Sequence, residues 1–148
     1  QAERHPALLE EVISRGHTVG GHTMNHEHGW HTHVEAFVAS ARASLGESGL
    51  FRPPHGKMTR AQCLALRPHA QIVMWSVLSG DYAAQGSSGA AKVLQRLKRH
   101  TRPGSIVVFH DSAKCAEALC MVLPGYLAWL KEAGWPSTRL EGHVHAEN

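Results

Sequence analysis

The chain has 148 residues, room for one domain, with 43% apolar and 18% charged residues, which is a globular composition and not a disordered one. No apolar run nears the ~20 residues that a membrane-spanning helix needs. A net charge of +3 is too small to name an anionic partner. The three cysteines, Cys63, Cys115 and Cys120, exclude a disulfide scaffold, form no zinc-type pair and read as small core residues.

The chain opens without Met or a signal peptide, directly on a helical pattern, so residues upstream are expected. A helix is predicted over 6–15: Pro6 suits its first turn, Leu8, Leu9, Val12 and Ile13 share a face, and Gly16 ends it. His17–Gly20 reads as a short strand, and residues 21–31 as a polar loop. Thr32 can cap a second helix carrying Val34, Phe37, Val38, Ala41 and Leu45, which Gly46 and Gly49 end. Leu50–Arg52 is strand-like and stops at Pro53-Pro54. Thr59-Arg60-Ala61-Gln62 is a capping box opening a third helix that Pro68 closes.

Gln71–Ser76 is the next strand, and 77–88 a loop. A helix over 89–101 turns Val93, Leu94 and Leu97 inward. Its Lys92, Arg96, Lys98 and Arg99 read as a solvated face; no nucleic-acid motif accompanies them, and no nucleic-acid partner is expected. Ser105–Phe109 is a strand leading into His110-Asp111. A last helix is predicted from Pro124 to Ala133 with Gly134 as its cap, then a strand over Ser137–Leu140 and a polar tail over 141–148. Strands alternating with helices predict an α/β fold with a parallel sheet or barrel. The chemistry of such folds sits at the carboxyl ends of the strands.

Polar residues gather at four of those ends. Thirteen histidines stand beside only two aspartates, Asp81 and Asp111. His22 and His26, four apart, can share a metal ion if the segment turns helically, or can belong to a polar loop. His28, His31 and His33 read as solvated loop residues. His110 follows a buried strand, where an imidazole can shuttle protons or merely end the strand. Asp81 can orient it, or can be the end of a Ser-Gly-Asp turn. Arg52-Pro53-Pro54-His55-Gly56 is a rigid turn that can aim backbone N–H groups at an oxyanion, or serve structure alone.

Together these segments resemble the polysaccharide deacetylases with NodB homology, carbohydrate esterase family four. His22-Thr23-x-x-His26 resembles the family's second motif, and Arg52-x-Pro54-His55-Gly56 its third, where Tyr is usual at the position of His55. Trp75–Tyr82 resembles the fourth motif, and Pro103–Asp111 the fifth. The resemblance runs from about His5 to Leu140. It implies a distorted parallel β/α barrel, here incomplete: the first strand, first helix and second strand have no counterpart. About five strands would remain, with an open edge that invites self-association and limits stability.

The resemblance also implies a function: hydrolysis of N-acetyl, or O-acetyl, groups on a polysaccharide with release of acetate. A divalent ion, zinc first and cobalt or nickel as alternatives, would sit on His22 and His26. His110 would be the catalytic acid, Asp81 its partner, and Arg52 would orient the base. The His55 N–H would hold the oxyanion, and Trp75, Tyr82 and Val108 would shape the acetyl pocket and sugar platform. The substrate stays open among peptidoglycan, chitin-like oligomers, acetylated xylan and exopolysaccharide. The resemblance fits a cell-envelope or extracellular site of action. The family's first motif, Thr-Phe-Asp-Asp-Gly, supplies the base and a third metal ligand, and this chain has no Asp-Asp pair. The alternative expectation is therefore an impaired fragment or a non-catalytic relative that binds carbohydrate or metal.

Overall fold

The computed structural model describes residues 2–141, so all but the first residue of the predicted polar tail lies outside them. The chain forms two compact units. One runs to Met74 and takes in the residues from Arg139; the other is Trp75–Thr138.

In the first unit, α1 (Pro6–Ser14) has proline at its start and is followed by Gly16 at φ +81°. Its apolar face is covered only in part: Leu9 and Val12 are half-buried, while Leu8 is 59% and Ile13 54% exposed. The predicted strand at His17–Gly20 is reduced to one parallel bridge, Gly21 to Phe51. The Gly21 N–H donates to the Leu50 carbonyl, and the Arg52 N–H to that of Gly21. A β pattern in sequence becomes a ladder only where successive backbone groups find partners. α2 spans Val34–Ala43 and buries Phe37 and Ala41. Thr32 is not its cap, because the Thr32 hydroxyl donates to the His28 carbonyl at 2.9 Å and His33 takes the capping position.

β1 (Leu50–Phe51) and β2 (Gln71–Ile72) pair in parallel, with Leu50 opposite Gln71 and Phe51 opposite Ile72. Between them, α3 (Arg60–Leu66) carries the complete capping box. The Thr59 hydroxyl accepts from the Gln62 backbone N–H at 3.2 Å, and the Gln62 side-chain Oε1 accepts from the Thr59 N–H at 2.8 Å. The core is Phe37, Ala41, Phe51, Leu66 and Ala70, with the Phe37 and Phe51 rings edge to face at 6.2 Å.

In the second unit, β3 (Val77–Leu78) lies inside the stretch expected to be a loop. It pairs in parallel with β4 (Val107–Val108). The strand predicted over Gln71–Ser76 therefore stops at Ile72. α4 (Gly86–His100) begins three residues before the predicted helix and buries Ala90, Val93 and Leu97. α5 spans Ala116–Glu132 with Pro124 inside it, not at its start. A proline there removes one helical bond, to the carbonyl of exposed Cys120. Packing outweighs that loss: Val122 and Tyr126 of α5 join Val77, Ala90, Val93 and Leu97 in the core. The Tyr126 hydroxyl is paired with that of Thr101 at 2.8 Å. No strand forms over Ser137–Leu140; Arg139 instead reaches back to the Gly16 carbonyl within the first unit. Among the described residues no helix is long and apolar enough to cross a membrane.

Candidate functional site

The first unit gathers histidines at the carboxyl end of β1 and on the loop before α2. His22 and His26 have ring centroids 5.0 Å apart. Two imidazoles sharing one tetrahedral ion with metal–nitrogen bonds of about 2.0–2.1 Å would have centroids about 5 Å apart. The segment is not helical, contrary to the geometry proposed from its spacing. Thr23 and His26 both take left-handed backbone, at φ 59° and 57°, and that bend brings the rings together. Left-handed backbone at a β-branched residue such as Thr23 is strained and needs outside support. α2 supplies it: Ser44 accepts from the Thr23 N–H at 3.0 Å, and Ser40 from the Met24 N–H at 2.9 Å.

Glu27 completes this clamp. Its carboxylate accepts from the Ser40 hydroxyl at 2.6 Å, and its N–H donates to the Thr23 hydroxyl at 3.2 Å. Burial raises the Glu27 pKa, but hydrogen bonds from Ser40, Thr23 and nearby backbone outweigh it and hold the group down to about 2. A depressed carboxylate stabilises the fold above its unfolded pKa near 4.5 and stops doing so as pH falls through about 2. Urea melts of Glu27→Gln are thus expected to show lower stability at pH 7 and a flatter loss between pH 5 and 2 than the unaltered chain.

His22 is also oriented. Its Nδ1 lies 2.7 Å from the Arg52 carbonyl oxygen. A carbonyl only accepts, so Nδ1 carries the proton and Nε2 the lone pair, the tautomer a metal ligand needs. The Arg52 side chain donates from Nε to the Val73 carbonyl at 3.1 Å, and burial lowers its pKa. His55 stands at φ 56° between Pro54 and Gly56, with its ring 4.6 Å from that of His26. Among the described residues no three His, Cys, Asp or Glu side chains form a group able to hold a metal ion. The residues present thus fit two positions of an ion, His22 and His26.

The histidine cluster extends further than the sequence suggests. His28 lies 5.2 Å from His55 and 4.5 Å from His31, ring to ring; His31 is exposed as expected, while His28 is half-buried and so not simply a solvated loop residue. The His28 Nδ1 is buried without a hydrogen-bond partner. Desolvation, then the charges of His31 and His55, lower its pKa. The count of thirteen histidines was the one sequence signal for this cluster.

The second unit builds a separate pair at the ends of β3 and β4. Asp81 is 1% exposed. Its Oδ1 accepts from the His110 Nδ1 at 2.7 Å, from the Ser79 hydroxyl at 2.9 Å and from the Tyr82 N–H at 3.0 Å. Its Oδ2 accepts from the His110 N–H at 2.7 Å. Burial alone would raise the Asp81 pKa; the bonds from the His110 backbone, the His110 ring and Ser79 bring it below the usual aspartate value. The ionised carboxylate only accepts, so Nδ1 of His110 is the donor and Nε2 is its working nitrogen. Tyr82, 43% exposed, sets its ring edge to face against His110 at 5.2 Å. Trp75 and Val108 are half-buried, Val108 opposite Leu78. Sequence reasoning missed Ser79, although the Ser-x-Asp spacing that lets its hydroxyl reach Asp81 was visible.

No family model matches the chain. It is 26% identical over 143 residues to a peptidoglycan-N-acetylglucosamine deacetylase of Bacillus cereus, covering 91% of this chain and 67% of that protein. It is 32% identical over 117 residues to a chitooligosaccharide deacetylase of Bradyrhizobium, covering 72% of this chain and 52% of the relative. The chain thus spans between half and two thirds of these relatives. Its fold is similar to a crystal structure of a peptidoglycan N-acetylglucosamine deacetylase, with TM-score 0.81 and 21% identity over 95% of this chain and 69% of that one. It is also similar to a family pseudoenzyme from Bacillus anthracis, with TM-score 0.73 and 20% identity over 90% of this chain and 48% of the other. These likenesses bear out the α/β fold class, as part of a β/α barrel of the deacetylase type. The chain is similar in sequence to polysaccharide deacetylases and shares the fold of carbohydrate esterase family four.

Proposed function

We propose that this chain carries the metal-binding pair and the general acid of a metal-dependent polysaccharide N-deacetylase. The observation behind this reading is that His22 and His110 are both held through Nδ1, at 2.7 Å, by an oxygen that only accepts. Each is left with Nε2 as its working nitrogen, one suited to a metal and the other to proton transfer.

His22 and His26 would hold a divalent ion, zinc first and cobalt or nickel by the same ligand chemistry, which would supply Lewis acidity toward the acetamide carbonyl and toward water. His110, as the imidazolium that Asp81 stabilises, would give its Nε2 proton to the leaving amine as the C–N bond breaks and the acyl carbon, now bonded to the water oxygen, leaves as acetate, and the proton released by that water would restore the imidazolium. Asp81 fixes the tautomer and the ring direction while it happens. The rigid turn Pro53–Gly56 presents the His55 N–H as an oxyanion donor, and Arg52 keeps the adjoining backbone in place. Trp75, Tyr82 and Val108 line the acetyl and sugar side of His110. The partner is an N-acetylated glycan.

A second reading has its own support. The chain lacks an Asp-Asp pair, and a pseudoenzyme shares the fold, which fits a relative that binds without turnover. Acetate release by the zinc-loaded chain from an N-acetylglucosamine hexamer, run beside acetylated xylan, separates the readings. Release from the hexamer is expected. Release from xylan alone would replace the N-deacetylase with an O-deacetylase, and no release from either would leave only the binding relative.

A further inference from the structure

The stretch between Asp81 and Asp111 holds five Lys or Arg residues and no acid. A chain with a net charge of +3 therefore concentrates its excess there. Arg102 uses its guanidinium within the chain, donating to the Arg99 and Thr101 carbonyls. Lys92 and Arg96 do not: neither makes a hydrogen bond or ion pair with another described residue. They stand four apart on α4, where like charges on one face repel.

That repulsion faces a cleft of about 280 Å³, lined by Ser79, Gly80, Ala84, Gly89, Lys92 and Arg96 among others. Close approach builds it. Gly89 of α4 packs on Ala84, where a Cβ would lie 3.1 Å from the Ala84 Cα. Gly80 is left-handed, at φ 78°, and the Arg96 Nη1 lies over it, 3.1 Å from where a Cβ would be. A side chain at Gly80 would push the guanidinium away as well as strain the turn. Buried Ser79 anchors the same turn, its hydroxyl donating to Asp81 at 2.9 Å. None of His22, His26, Asp81 and His110 lines the cleft.

At about 280 Å³ the cleft is smaller than the ~300–1,000 Å³ of sites for drug-sized ligands, so its occupant is small. Two uncompensated cations match two negative charges. A carboxylate has one charge and two oxygens, which a guanidinium alone can engage in a bidentate pair. A phosphoryl group has three oxygens and nearly two charges, enough for the fork of Arg96 and the ammonium of Lys92 together. We propose that the cleft between the Gly80 turn and α4 is a binding site for a phosphoryl group, held by Arg96 and Lys92. The binding does not depend on deacetylation.

Titration of the nitrogen-15-labelled chain at low salt tests this, because exposed charges are screened at high salt. The probes are inorganic phosphate, glycerol 3-phosphate and acetate, at about pH 7.5, where phosphate is mostly dianionic. The signals read are the Gly80 amide and the Arg96 Nε–H. Phosphate is expected to saturate both with a Kd on the order of 1 mM. Arg96→Gln and Lys92→Gln should each weaken it about fivefold. Both side chains are exposed, and each variant decides alone if the other fails to fold. Lys98→Gln, outside the cleft lining, should stay within about twofold of the unaltered chain. Acetate should bind at least about tenfold more weakly than phosphate. Glycerol 3-phosphate binding as tightly as phosphate supports the site and makes its ligand the phosphoryl group of a larger molecule; weaker binding supports it as a site for the free ion. No saturable shift at Gly80, or affinity unchanged in both Arg96→Gln and Lys92→Gln, overturns the site. Acetate binding as tightly as phosphate overturns the phosphoryl assignment.

Discussion

Zinc affinity falls at least about 100-fold when His22 and His26 are both replaced by Ala, because loss of one outer-shell partner alone costs 10- to 100-fold and here both ligands go. The effect is large because the chain has organised this pair before any ion arrives. The Arg52 carbonyl sets the His22 tautomer, and Ser40, Ser44 and Glu27 hold the left-handed bend that carries His26 to within 5.0 Å. A chain with thirteen histidines will also take up zinc weakly elsewhere. His69→Ala, outside the cluster, is therefore the control and should leave the tight site intact. Cobalt gives a second readout, since its visible absorption reports ligand number. Titration isotherms that coincide for the double variant and the unaltered chain would remove the metal assignment.

Replacing His110 with Ala should lower kcat by about 10²–10⁴-fold, the usual worth of a positioned proton donor, with zinc affinity unchanged. Substrate KM should move little, since the lost interaction acts in the transition state. Asp81→Asn should also lower kcat, by a different route. An amide carries no charge to stabilise the imidazolium that gives up the Nε2 proton, and its NH₂ can turn toward the ring and lose the Nδ1–H bond that aims it. The carboxylate also accepts from Ser79 and from two backbone N–H groups, so the substitution disturbs bonds that amide NH₂ cannot replace. A kcat loss in Asp81→Asn with a shifted pH profile marks it as a positioning residue; a loss tracking only reduced folded fraction would make it structural.

Local signals were legible in the sequence and non-local ones were not. The capping box at Thr59–Gln62 formed as read, because its bonds join residues three apart. Gly16 and Gly134, at φ +81° and +70°, end their helices as glycines do. The strands were over-long in prediction because their length depends on partners: Gln71–Ile72 stops where β1 stops, and His17–Gly20 finds only one bridge, at Gly21. Pro124 misled for the opposite reason. A local rule placed it at a helix start, while packing of Val122 and Tyr126 carried the helix through it.

The site divides in the same way. His22, His26, Asp81 and His110 were readable as candidates by type and place at strand ends. The helical turn assumed for His22–His26 was not what joined them; Ser40 of α2 and Ser44 at its end, 16 and 21 residues from their partners in sequence, support the bend that does. The role of Glu27 as part of that clamp, and the contact of His28 with His55, also arise from tertiary packing.

Acetate release from an N-acetylglucosamine hexamer, measured for the unaltered chain and for His110→Ala, each loaded with zinc and each stripped of it, tests the account most directly. Zinc occupancy is read on the same samples. The account predicts release only from the zinc-loaded unaltered chain, with zinc bound equally by the loaded variant. Release that survives removal of zinc, or that is undiminished in His110→Ala, would contradict it.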